Sequence, residues 1–173
     1  MKIKEYISKF ENSTEIMETK YFWTQCVALA KHFSLNVLNI KLSSFWGSAY
    51  TGWLNLKNTF KSHLWNKIVN DLNDKNQVPP VGSIIFFDKT KKNGYYWHVA
   101  VVTKAILWKA YFEVINQNVW NWNWKWYDDR VKISKFYYKK DKVSGWYVKK
   151  ETSVKIDYER KYFELIEKLK KLI

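Results

Sequence analysis

Residues 78–104, VPPVGSIIFFDKTKKNGYYWHVAVVTK, hold the pattern from which the architecture can be read. Val78-Pro79-Pro80-Val81-Gly82 is a turn signal, since proline fixes φ and removes a donor while glycine tolerates positive φ. Ser83-Ile84-Ile85-Phe86-Phe87 follows as a short β-branched and aromatic run closed by Asp88, the signature of a buried strand. Lys89–Gly94 reads as a hairpin loop, and His98–Lys104 as the returning strand.

Downstream, Ala110–Ile115, Trp120–Trp126, Val131–Tyr138 and Gly145–Val148 extend this pair into a consecutive antiparallel set. Upstream the period changes. Ile3, Tyr6, Ile7 and Phe10 recur at helical spacing before a turn at Glu11-Asn12-Ser13-Thr14. A second helix is expected from Thr24, a suitable N-cap, to Phe33, which places Cys26 in its first turn. The aromatic, Asn-rich stretch from Leu35 to Asn76 is expected to be loops with one short helix near Leu64–Leu72. Helices followed by strands indicate an α+β fold, with a small curled antiparallel sheet packed on N-terminal helices.

A chain of 173 residues, 47% hydrophobic and 19% aromatic with 5 Gly and 2 Pro, has the composition of a folded domain rather than of a disordered or linker protein. The single cysteine excludes an intramolecular disulfide and any zinc site built on several thiolates. The opening MKIKEYISKF has no apolar run of signal-peptide type, so synthesis in the cytoplasm without a signal peptide is expected. No stretch approaches the ~20 apolar residues of a membrane span. A net charge of +14 favours a polyanionic partner, whether nucleic acid, an anionic membrane surface or phosphate-bearing wall polymers. Of the 30 basic residues only Arg130 and Arg160 are arginines, which weighs against planar readout of phosphates or bases.

Two readings of Cys26 stand side by side: a small buried hydrophobe, or a nucleophile whose thiolate is favoured by the free amides of a helix start. The polar Gln25 before it suits the lip of a site. His32 and His63 lie in polar surroundings, whereas His98 opens a strand, and the next strand runs Phe112-Glu113-Val114-Ile115-Asn116-Gln117-Asn118 into three amides. Antiparallel pairing would bring His98 close to Asn116 or Asn118, so that a base, its orienting amide and a thiol on the helix could form a nucleophile–base–orienter set.

In this order, Gln25-Cys26, Pro80-x-Gly82-x-Ile84, His98-Val99-Ala100-Val101-Val102 and Asn116-Gln117-Asn118 resemble the CHAP family of cysteine, histidine-dependent amidohydrolases/peptidases. The resemblance covers residues 1–150 and implies a papain-like α+β fold that cuts amide bonds of bacterial peptidoglycan, as in phage endolysins and virion-associated lysins. Carried over, Cys26 is the nucleophile, His98 the general base, and Gln25 a helper at the oxyanion. Asn116 stands where many members place an acidic orienter, and Asn118 matches the amide two residues on. An amide can fix the imidazole tautomer but stabilises an imidazolium less than a carboxylate does. Glu113 remains as a substitute orienter, although strand alternation sets it on the face opposite Asn116.

Some members hold calcium in an acidic loop before the cysteine. Here Glu11-Asn12-Ser13-Thr14-Glu15 and Glu18 lack suitable spacing, so neither metal nor organic cofactor is expected. Trp120, Trp122, Trp124 and Trp126 would share one face of a strand, either as core or as a substrate-binding platform. Lys125–Lys150 carries nine basic against three acidic residues and could rest on anionic wall polymers. Residues 151–173, with Tyr158, Tyr162, Leu165, Leu169 and Leu172 at 4-3-4-3 spacing, are expected to form a separate amphipathic helix. It would dock on its own domain, self-associate or bind a virion partner. The reading from this resemblance is a wall hydrolase with no nucleic-acid partner. The readings from other classes are a basic nucleic-acid-binding protein and a non-catalytic wall-binding or virion structural protein.

Overall fold

The computed structural model describes residues 1–13, 25–43, 48–74, 77–89, 97–105, 111–117, 130–137 and 141–150. It has the α+β architecture expected, with helices α1 (Ile3–Phe10), α2 (Gln25–Asn36) and α3 (Ala49–Trp53). The strands are β1 (Trp65–Val69), β2 (Ile84–Phe87), β3 (His98–Ala105), β4 (Tyr111–Asn116), β5 (Lys132–Tyr137) and β6 (Val143–Lys149). They form one sheet in the order β1-β6-β2-β3-β4-β5, and every neighbouring pair is antiparallel.

Two expectations are corrected. Leu64–Leu72 does not contain a helix: Trp65–Val69 is β1, paired with β6 from Trp65↔Lys149 to Val69↔Gly145. Trp65, Ile68 and Val69 favour a strand, and the neighbouring β6 completes it with a ladder of backbone bonds that the sequence pattern of this segment did not reveal. The strand set is also not consecutive, because β6 returns from beyond β5 to lie between β1 and β2. Gly145, Trp146, Tyr147 and Val148 are all buried, so β6 must be covered on both faces and cannot form an edge. Gly145 sits at φ +151, where a Cβ would collide with the Ile68 carbonyl and lie 2.6 Å from the Trp53 ring. Only glycine lets β1 and α3 approach β6 this closely.

Side chains of the two sheet faces enter two apolar clusters. On one face Ile84, Phe86, Val99, Val101, Ile115 and Tyr147 meet Tyr6 and Phe10 of α1 and Val27, Leu29, Ala30 and Phe33 of α2. Residues 26–30 of α2 are consecutively buried, as befits a central helix that is apolar on nearly every side. Tyr6 ties α1 to α2 through a 2.9 Å hydrogen bond between its hydroxyl and His32 Nδ1. The turn after α1 is fastened to the start of β5, with Asn12 N donating to Val131 O at 2.7 Å and Val131 N to Ser13 O at 2.9 Å.

The other face gathers Ile85, Phe87, Ala100, Val102, Phe112, Val114, Phe136 and Trp146. β2 and β5 are three strand spacings apart, about 14 Å in a flat sheet. Yet the Phe87 and Phe136 ring centroids lie 4.4 Å apart. The sheet is therefore strongly curled, with this cluster on its concave side. The expected strand at Trp120–Trp126, most of the Lys89–Gly94 loop, Thr24 and the expected helix within 151–173 lie outside the described residues.

Candidate active site

Three elements converge where β3 begins. Cys26 is the second residue of α2, within the first turn, where helix geometry leaves backbone amides without intrahelical acceptors. It is 8% exposed. Burial pushes its thiol pKa up, opposed by hydrogen bonds to the sulfur from the backbone of Val99, then of Val27 and of Cys26 itself. The Val99 contact fixes the location: the sulfur lies against the strand residue immediately after His98.

His98 is the first residue of β3, 5% exposed, and pairs in register with Phe87 of β2. Its ring stands 5.9 Å from that of Phe87, so it enters the concave side of the sheet. Desolvation there disfavours the imidazolium and lowers the pKa to about 4, while the side chain of Asn116 acts in the opposite direction. At neutral pH the ring is an uncharged base.

Asn116 ends β4 and is wholly buried. The β3–β4 register, Val102↔Val114 and Val101↔Ile115, carries its side chain to the same face as His98. Its Nδ2 donates to Lys132 O at 3.1 Å, which leaves Oδ1 available to the ring. Asn116 Oδ1 and His98 Nε2 are both buried and neither has a well-formed hydrogen bond. The Asn116 side chain acts on the ring through a hydrogen bond that is long or poorly aligned, which raises the imidazole pKa against desolvation.

The structure therefore sets the Cys26 sulfur against Val99, the residue after His98, and places His98 and Asn116 on the other face of the same strands. Gln25 opens α2 by its backbone, but its side chain lies outside the described residues, as do Asn118, Trp120, Trp122 and Trp124. Glu113, the substitute orienter, is placed elsewhere: it pairs with Lys104 in register and meets Lys104 Nζ at 3.7 Å, toward the far end of β3. Among the described residues no cluster of three or more His, Cys, Asp or Glu is placed to hold a metal ion. Nor is any helix there long and apolar enough to cross a membrane.

Sequence reading missed two features. One is the Val99 backbone as a partner of the sulfur, which only the packing of α2 on β3 reveals. The other is an aromatic pair beside the site, Trp97 and Tyr50, with centroids 4.9 Å apart and planes inclined by 49°. The tryptophan directly before His98 was its visible sign.

A thiol in the first turn of a helix, packed on the strand that begins with a buried histidine, sits in an α+β fold built on one antiparallel sheet. The CHAP domain family matches residues 16–118, more than half of the sequence, and the chain belongs to that family. The crystal structure of a wild-type endolysin, LysIME-EF1, is similar with a TM-score of 0.60 at 14% identity. The alignment covers 83% of this chain and 61% of that one, so the chain spans less than two thirds of the endolysin's length. At that identity the likeness concerns the fold. No curated protein sequence matches the chain.

Proposed function

We propose that this protein is a peptidoglycan hydrolase of the phage-lysin type, cutting an amide bond of the bacterial wall with Cys26 as nucleophile. The observation that carries this reading is the Cys26 sulfur packed on the backbone of Val99, one residue along β3 from a buried His98 that interacts with Asn116.

With the thiol pKa raised and the imidazole pKa lowered, the resting pair is thiol and imidazole rather than thiolate and imidazolium. His98 then acts as a general base at the moment of attack. It accepts the Sγ proton as sulfur bonds to the carbonyl carbon. The backbone N–H of Cys26, helped by the Gln25 side chain, receives the developing oxyanion. Collapse breaks the C–N bond, His98 returns its proton to the departing amine, and an acyl thioester remains on Cys26. Water, deprotonated by His98, attacks that thioester, releasing a carboxylic acid and restoring the thiol.

Asn116 orients the ring in this scheme and Asn118 supports it. Trp120, Trp122 and Trp124 supply a surface for the wall polymer, and the lysine-rich residues 125–150 hold anionic wall polymers. Residues 1–150 form the catalytic unit, and 151–173 serve docking or self-association. The product is either a cut stem peptide or a peptide freed from its sugar, since both reactions use the same machinery. The wall after release, or after particle attachment, is the site of action.

The test is mass spectrometry of fragments released from purified Gram-positive walls by the wild type, Cys26→Ala and His98→Ala. New amino and carboxyl ends from the wild type alone, unaffected by EDTA, are expected and would identify the bond. If folded wild-type protein releases nothing from several wall chemotypes, catalysis is overturned in favour of a wall-binding or virion-structural role. Salt-sensitive nucleic-acid binding that survives Cys26→Ala would instead favour the nucleic-acid reading.

A further inference from the structure

The Trp97–Tyr50 pair is used by none of the catalytic steps above, yet its position is close to them. Trp97 directly precedes β3, and its side chain lies on the helix-bearing side of the sheet with the cluster that holds Cys26. Trp97 is partly buried against the cluster that contains Cys26 and Ala49, and it leans on Tyr50 of α3. Tyr50 itself is 44% exposed.

The register of α3 is well defined. Ser48 caps it, accepting from Thr51 N at 3.3 Å, while Thr51 Oγ1 donates to Ser48 O at 2.8 Å. Buried Ala49 and Gly52 fix the inner side of the helix and leave Tyr50 facing outward. An exposed aromatic ring held by such anchoring, and braced by a second ring, loses little freedom when something packs on it. Two neighbouring rings, one of them exposed, present aromatic surface suited to an uncharged partner rich in C–H groups.

We infer that Tyr50 and Trp97 form a substrate-positioning subsite beside Cys26 that takes an uncharged, C–H-rich face of the wall polymer next to the cleaved amide. This rests on the hydrolase reading above. Either the face of a saccharide ring or the small side chains of the stem peptide presents that chemistry.

The experiment compares Tyr50→Ala, Tyr50→Phe and Trp97→Phe in two assays. Steady-state cleavage of solubilised peptidoglycan reads KM and kcat. Equilibrium binding in a Cys26→Ala background uses two probes, peptide-free glycan strands and a synthetic stem peptide. Tyr50→Ala is expected to raise KM about tenfold with kcat within about twofold, and Tyr50→Phe to restore the wild-type value. Trp97→Phe, which keeps a ring against Tyr50, is expected to raise KM about threefold.

Weaker binding to glycan strands alone identifies a sugar subsite, and weaker binding to the stem peptide alone a peptide subsite. Cleavage with unchanged KM and unchanged binding of both probes in Tyr50→Ala overturns the subsite while leaving the hydrolase reading intact. A loss confined to kcat also overturns it. A wild type that neither cuts nor binds overturns both.

Discussion

The two faces of the sheet contribute different parts of one site. The helix-bearing face carries the thiol, held against the strand backbone, and Trp97, which packs on the same apolar cluster and leans on Tyr50. The concave face supplies His98 and Asn116, set among phenylalanine rings and removed from water. They are joined through β3, where Val99, the backbone partner of the sulfur, directly follows His98. In the proposed mechanism the thiol face receives the substrate, and the concave face lowers the proton affinity of His98. A base lowered to about 4 by its surroundings is a property of the curled sheet as a whole.

The largest effect that separates these contributions is expected at His98. His98→Gln, similar in polarity and without a titratable proton, should lower kcat by roughly 100- to 10,000-fold, measured as amine release from solubilised walls. The same variant isolates the acid sensitivity of the fold. In the unfolded chain the ring titrates near 6.5, and in the fold near 4. Between those values the unfolded state binds the extra proton, so the stability due to keeping the ring neutral is fully present above about pH 6.5. It is lost as pH falls through 4, by on the order of 3 kcal/mol. Denaturant midpoints at pH 7 and pH 4 should differ clearly less in His98→Gln than in the wild type. An equal acid loss in both proteins would show that carboxylates elsewhere dominate and that the concave face does not set the acid limit.

A smaller effect is expected at Asn116. Asn116→Ala removes the amide that opposes desolvation of His98 and also the bond to Lys132 O. Partners that fix a histidine's orientation typically contribute 10- to 100-fold, and kcat should fall by about that much with KM nearly unchanged. Losing the opposing amide should also move the acid limb of the kcat/KM profile to lower pH. A limb that stays in place while kcat falls would make Asn116 a packing residue only.

The parts of this arrangement that were legible in the sequence were those carried by local period. Ile84–Phe87 and His98–Lys104 alternate or run apolar in ways only strands satisfy, and Ile3, Tyr6 and Phe10 keep a helical stripe. The proximity of His98 and Asn116 followed from antiparallel pairing alone. What escaped was set by distant partners. Trp65–Val69 carries no strand period, and its conformation depends on β6, some 80 residues away in sequence. The position of β6 was equally hidden, since nothing local in Gly145–Val148 says that β1 lies beside it. Gly145 was the one sign, a residue required by close approach rather than by a turn. Glu113 was correctly separated from Asn116 by parity, but its pairing with Lys104 depends on the irregularity between Val102 and Lys104, which no sequence pattern announces.

The smallest expected effect lies on the helix-bearing face, away from the thiol. Lys67 of β1 reaches back over the Trp53 ring, with Nζ 4.0 Å from its centroid, and donates to Trp53 O at 2.6 Å. Tyr147 donates to that same carbonyl at 3.0 Å, so the end of α3 is held by an ammonium and a phenol together. Desolvation lowers the lysine pKa, which means the ammonium gives up some hydration to take this place. Lys67→Met keeps the aliphatic stem on the ring but loses the charge and one of two donors. A loss of about 0.5–1 kcal/mol is expected from denaturant unfolding, the range for an exposed cation over an aromatic ring. Because Tyr147 still holds the carbonyl, α3 keeps its seat, and Tyr50 with it. KM should therefore remain at the wild-type value. If KM rises with this small loss of stability, the anchoring of α3, and not only the rings it presents, sets the approach to Cys26.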